Sequence, residues 1–158
     1  TSSRGEEKTR VKVPRHLKTK SDRDLFTKGA EIYNREAHCG TCHQEDGKGL
    51  RDVGFPPLAG TKWGNGDPDR LIKLTLKGLM GPIEVLGHQY PGVVPMTAFE
   101  GLLDDKEVAA TLTYVRNSFG NKSGSIQPGD VKRVRAEVKS KEGMYSPAEL
   151  LQEHPMEQ

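Results

Sequence analysis

Both cysteines of this 158-residue chain lie in one short stretch, Cys39-Gly40-Thr41-Cys42-His43, two residues apart with a histidine directly behind the second. Whatever these thiols hold must be reached by both from a single turn of chain, and the fold has to be built around that. Three chemistries use such a pair: a redox dithiol, half of a tetrahedral zinc site, or a double covalent anchor for a cofactor. A redox dithiol belongs with the strand–helix unit of a βαβ fold, and no strand pattern precedes Cys39. A zinc site takes four ligands, typically from two such pairs; here there is one pair, and His38 sits too close to Cys39 to complete a knuckle.

The covalent reading accounts for every position. In Cys-x-x-Cys-His two thiols add across the two vinyl groups on one edge of a porphyrin, and the histidine is carried under the iron. His43 would then be one axial ligand of a haem attached through Cys39 and Cys42. Several residues compete for the opposite face. Met96 follows Pro95 in the long loop ahead of a helix starting near Asp104, where a thioether can swing onto the iron. His88, eight residues earlier, falls beside a hairpin turn that would keep it at the rim. Met80 ends a helix and reads as packing. Met144, Met156, His16 and His154 lie in terminal segments, and His38 is expected to face solvent.

Composition agrees with a fold that needs a large apolar ligand. Hydrophobic residues make up 33% of the chain, below the ~45–50% of an ordinary domain, a range that also counts glycine. A net charge of +2 supplies no field for nucleic acid or an anionic membrane. Residues 1–20 carry seven basic and two acidic groups without apolar period, and read as a solvated basic linker. No run approaches the ~18 apolar residues that span a bilayer, so no membrane insertion of this segment is expected. No cleavable leader is seen either, and the opening TSSRGEE reads as a mature or excised piece.

Apolar spacing predicts an all-α architecture with one small hairpin. A helix over about residues 22–38, capped by Ser21 with Asp24, runs into the cysteine motif. Residues 44–66 read as loop. A second helix begins at Asp67-Pro68 and ends at KGLMGP. IEVLGHQY predicts a hairpin around Leu86-Gly87. The clearest helix is capped by Asp104 with Glu107, carries Val108, Leu112, Val115 and Phe119 on one stripe, and stops at Gly120-Asn121. Two more helices, from Pro128 and from Ser146-Pro147, form a C-terminal extension over 123–158. That extension is expected to pack on the body (residues 21–122) without bearing on the iron ligands.

The order CGTCH, PPLAG (56–60), middle helix, VVPMTAF (93–99) and LDDKEVAATLTYVRNSFGN (103–121) resembles the class I mono-haem cytochromes c over about residues 21–121. The resemblance implies haem c ligated by His43 and Met96, with the Pro56 carbonyl orienting His43 and a close crossing of Gly29 and Tyr33 with the last helix near Tyr114. It brings in Trp63 either as packing under the haem or as an indole N–H donor to a propionate, with Tyr90 and Arg70 as further propionate candidates. Within the family, the run from FPPLAGTKWGNGDPDRL to VRNSFGN, followed by VKRVRAEV and YSPAELLQEHPME, resembles the C-terminal haem domain of long, multi-domain secreted putative dehydrogenases of planctomycete-type bacteria. The implied function is one-electron transfer, not catalysis. The donor would be a dehydrogenase partner or fused domain, the acceptor a cytochrome or oxidase, and the location periplasmic or otherwise outside the cytoplasmic membrane. The rival is a haem enzyme or gas sensor, peroxidase-like, with a displaceable sixth ligand. The acidic balance of residues 22–120 (11 basic, 14 acidic) points weakly to a basic partner.

Overall fold

A computed structural model describes residues 11–35, 37, 39–92 and 94–157. The first helix, α1 (Lys20–Asn34), starts at Thr19, whose hydroxyl accepts the Asp22 amide at 3.1 Å. Ser21, the expected cap, therefore lies inside the helix. α1 also ends earlier than its apolar spacing suggests. The Ala37 amide reaches back to the Ile32 carbonyl at 3.0 Å, a wide closing turn that satisfies an orphan helix carbonyl. The cysteine motif then forms a separate single turn, α2 (Cys39–His43), free of the α1 axis.

The stretch 44–66 is more ordered than its glycines and prolines suggest. It holds a 3₁₀ turn (Arg51–Val53) and a short helix α3 (Lys62–Asn65) capped by the Thr61 hydroxyl. α4 (Pro68–Lys77) starts as expected, with Asp67 accepting from the Asp69 amide and proline in the first turn. β1 (Ile83–Val85) and β2 (His88–Tyr90) pair antiparallel, Val85 opposite His88. Leu86 and Gly87 between them both have positive φ, as a two-residue type I′ turn requires.

α5 (Asp105–Arg116) carries the expected capping box of Asp104 and Glu107 but stops before Phe119. The Asn117 side chain takes the Thr113 and Gly124 carbonyls at 2.8 and 2.7 Å and turns the chain there. α6 (Pro128–Glu137) and α7 (Pro147–Glu153) follow. Ile126, Val131, Val134, Val138, Tyr145 and Leu150 are buried in the same core as α4 and α5, so the extension is built into the body. The N-terminal segment also differs from a solvated linker over its described part. Leu17 is buried, and the His16 ring meets the Asn117 side chain at 2.8 Å. Residues 1–10 of the expected linker lie outside the described residues.

The frame is set where α1 crosses α5. A Cβ on Gly29 would stand 1.9 Å from the Ala110 carbonyl oxygen and 2.8 Å from Tyr114 Cβ, so only glycine allows this approach. Phe26 and Tyr33 pack on Tyr114 with ring centroids 5.1 and 5.2 Å away, within the favourable aromatic range. Tyr33 is fully buried, and its hydroxyl donates to the Gln44 carbonyl at 2.7 Å, fastening α1 to the chain just beyond the motif.

The clash at Gly29 is with backbone, which cannot swing aside. Gly29→Ala is expected to destabilise the protein by about 3 kcal/mol, the upper end of overpacking costs. Thermal unfolding measures this; a melting temperature equal to wild type would contradict the crossing.

Candidate haem site

α2 delivers its side chains into two adjoining cavities of about 90 and 250 Å³. Together these reach the low end of the ~300–1,000 Å³ typical of small-molecule sites. Cys39, His43, Pro56, Leu79, Met96 and Phe99 line both. Trp63, Leu71, Leu74, Leu112 and Val115 close the smaller one, and Cys42, Tyr90 and Val94 border the larger. A wider, open groove of about 1,340 Å³ lies elsewhere, between the N-terminal segment and the ends of α1 and α5. It is rimmed by charges of both signs, including Lys12, Arg35 and Glu45, and holds none of the motif.

His43 is held by its far nitrogen. Nδ1 stands 2.7 Å from the Pro56 carbonyl oxygen, which can only accept, so Nδ1 carries the proton and Nε2 keeps its lone pair. Burial pushes the imidazole pKa below its ordinary value, with the Pro56 bond acting in the opposite direction. The ring is therefore neutral, oriented and able to bind a metal.

The thiols do not suit the rival chemistries. Burial pushes Cys39 up to about 12, a neutral apolar group, whereas reactive cysteines are thiolates in electropositive, partly exposed surroundings. Cys39 and Cys42 are not joined to each other in a disulfide. Among the described residues no three His, Cys, Asp or Glu side chains converge as a metal-ion site would need. Apolar walls, two neighbouring thiols and one oriented imidazole fit a porphyrin better than a bare ion.

Met96 reaches the site through its backbone. Its amide donates to the Leu79 carbonyl at 2.8 Å and its carbonyl accepts the Leu79 amide at 3.1 Å. The chain beyond is pinned to the last turns of α4, by Phe99 to Thr75 and Glu100 to Leu76, both at 3.0 Å. The competing donors are elsewhere. His88 is exposed on β2 and borders neither cavity. His16 meets Asn117, and His154 meets the Asp67 carboxylate at 2.8 Å. His38 lies outside the described residues. Met80 is 55% exposed, contrary to its reading as packing, although its backbone is paired with Tyr145.

At the rim, Trp63 takes the packing alternative and Arg70 is turned away from the site. The Trp63 indole N–H donates to the Glu84 carbonyl at 3.0 Å, so Trp63 is a buried wall residue whose donor is already engaged within the protein. Arg70 does not border either cavity. Its fully buried guanidinium donates to the carbonyls of Lys62, His154 and Pro155 and to the Glu157 carboxylate, because the first turn of α4 faces the C-terminal tail. Tyr90, the third candidate, is buried and borders the larger cavity.

Sequence reasoning missed Asn121, which reads only as a helix stop. Its side-chain oxygen accepts the Gly60 amide at 2.8 Å and the Asn65 amide group at 3.0 Å, while its nitrogen donates to the carbonyls of Leu58 and Val115. It thereby clasps the loop carrying Pro56 against α5. Leu79 was missed as well, since pairing through backbone leaves no mark on residue type.

The profile of the cytochrome c family matches residues 26–119. Cytochrome c-552 of Thermus thermophilus is 39% identical over 117 residues, covering 68% of this chain and 84% of that protein. The fructose dehydrogenase cytochrome subunit of Gluconobacter japonicus is 36% identical over 111 residues, covering 70% of this chain but 22% of the subunit. The cytochrome c subunit of the quinone alcohol dehydrogenase of Gluconobacter oxydans is 32% identical over 110 residues, covering 68% of this chain and 22% of the subunit. With its motif, its helical frame and its apolar cavity, the chain belongs to the cytochrome c family, carries covalently bound haem c as that family does, and is an electron carrier.

Proposed function

We propose that this chain relays single electrons from a dehydrogenase to a cytochrome or oxidase, and that Cys39 and Cys42 would hold the haem through thioether links while His43 Nε2 and Met96 Sδ would ligate its iron. One observation carries the ligand assignment: His43, oriented by Pro56 at 2.7 Å, and Met96 border the same pair of cavities, while His88 does not. When bound, haem with these ligands supplies an iron that exchanges one electron with little rearrangement, at a potential raised by the methionine. The protein groups do the rest. Pro56 fixes the imidazole, Leu79 holds the backbone of Met96, and Trp63, Leu71, Leu112 and Val115 exclude water. Ligation by both His43 and Met96 would leave no open position for a substrate, which favours a carrier over a peroxidase-like enzyme or gas sensor.

The dehydrogenase cytochrome subunits named above support a dehydrogenase as donor. The resemblance to the haem domain at the end of long secreted putative dehydrogenases would place that donor on the same polypeptide. The resemblance to secreted proteins supports a location outside the cytoplasmic membrane. None of the described helices is long and apolar enough to cross a membrane. Docking would use the mouth of the larger cavity, where Val94 is 57% exposed, in the small-interface class of transient redox pairs.

Met96→Ala should abolish the weak far-red band of the ferric protein, lower its potential, and raise carbon monoxide binding to the ferrous form by about tenfold or more, the factor supplied by ~1.4 kcal/mol of lost ligation. His88→Ala should change none of these. Absorption spectra and redox titration of the two variants decide; if His88→Ala produces the changes, the carrier is bis-histidine and of lower potential. Cys39→Ala should leave one thioether link or no stable holoprotein. Losing a covalent cross-link costs about 2–4 kcal/mol, and a pyridine haemochrome spectrum with a melting curve reports both. Full haem content with unchanged melting would refute it.

A further inference from the structure

Leu79 sits between two isolated β-bridges. On one side it pairs antiparallel with Met96 through the two bonds already given. On the other it pairs parallel with Tyr145: the Tyr145 amide donates to the Gly78 carbonyl at 3.1 Å, and the Met80 amide donates to the Tyr145 carbonyl at 2.9 Å. Gly78 takes φ of +81°, and a Cβ there would stand 2.7 Å from the Met96 carbonyl oxygen and 3.3 Å from Met144 Cγ. Both flanking segments thus press on the same glycine. Tyr145 is itself firmly placed. Its ring is buried, and α7 begins directly behind it, with Ser146 and Glu149 forming a capping box and Leu150 fully buried.

We infer that the C-terminal extension is a positioning element of the electron-transfer site: Tyr145, through Leu79, holds the backbone of Met96 and so governs how firmly the thioether stays on the iron. The expectation from sequence was the reverse, an extension without bearing on ligation. The geometry makes the link direct, because two backbone hydrogen bonds on each side of Leu79 join residues far apart in the chain. Withdrawing Tyr145 leaves the Met80 amide and the Gly78 carbonyl unpaired beside Met96, and a segment that has lost one partner holds the other less well. The inference rests on Met96 as the distal ligand.

The extension has a second anchor, which supplies the control. Glu157 accepts from Arg70 at 3.0 Å and from the Asp67 amide at 2.7 Å, at the start of α4 and remote from the Met96 pairing. Tyr145→Pro deletes the N–H that reaches Gly78; Glu157→Gln weakens only the far anchor. Both are compared with wild type as mature, full-length holoprotein. Each should lower the melting temperature. Tyr145→Pro alone should weaken the ferric far-red band, lower the reduction potential, and raise carbon monoxide binding by about two- to tenfold, the factor that one backbone hydrogen bond contributes. A Tyr145→Pro protein that melts lower but keeps the wild-type band, potential and carbon monoxide rate overturns the inference, as does Glu157→Gln shifting them equally. If Tyr145→Pro does not accumulate, hydrogen exchange on the wild-type holoprotein decides. The amides of Met80, Tyr145 and Met96 should open as one unit, together with loss of the far-red band on adding denaturant; Met96 opening independently of Tyr145 overturns it. A wild-type band that survives Met96→Ala removes the ligand assignment itself, an outcome distinct from a Met96-dependent band that ignores Tyr145.

Discussion

The bond from His43 Nδ1–H to the Pro56 carbonyl is the contact on which the rest of the structure depends. A histidine next to an anchored thiol can point many ways, and a metal ligand needs one. Fixing the ring by its second nitrogen requires the loop through Pro56 to be folded in place, and several elements serve that end. The Gly47 carbonyl accepts the amides of both Leu58 and Ala59, and the His43 carbonyl accepts the Gly49 amide at 3.0 Å. Asn121, just beyond α5, clasps Leu58 and Gly60 to the Val115 carbonyl of that helix, while Tyr33 ties α1 to Gln44. The α1–α5 crossing at Gly29 brings these clasps within reach of the motif.

Much of this was legible in residue types. The motif named its cofactor, Asp67-Pro68 and Asp104 with Glu107 marked two helix starts, and Leu86-Gly87 marked the hairpin. What escaped had physical reasons. Two hydroxyls lay within reach of one helix start, and Thr19, not Ser21, made the cap. Asn117 and Asn121 turned the chain where a continuing stripe predicted three more helical residues. Arg70 looked free to meet a propionate until the tail folded over it. The bridge pairing of Met96, Leu79 and Tyr145 is carried by backbone groups, which every residue has, so no spacing rule could have announced it.

The extension also alters how stability is distributed. A chain with 33% hydrophobic residues has little to spare for a separate C-terminal unit, and this one shares its valines and leucines with α4 and α5. Arg70 is buried without a buried acid beside it. It is met mainly by backbone carbonyls, lies over Trp63 at 5.3 Å, and pairs with the half-exposed Glu157. Removing one partner of such a charge leaves the desolvation cost uncompensated. The tail therefore braces the start of α4 at one end and the Leu79–Met96 pairing at the other.

The most direct measurement is a proton NMR spectrum of the ferrous holoprotein, with all four methionines (Met80, Met96, Met144 and Met156) labelled at their methyl carbons. A methyl bound at the iron sits over the face of the porphyrin and is strongly shielded. With Met96 on the iron, one methyl resonance is expected far upfield of the other three, missing when Met96 is replaced. Four methyl resonances in the ordinary range would contradict that ligation.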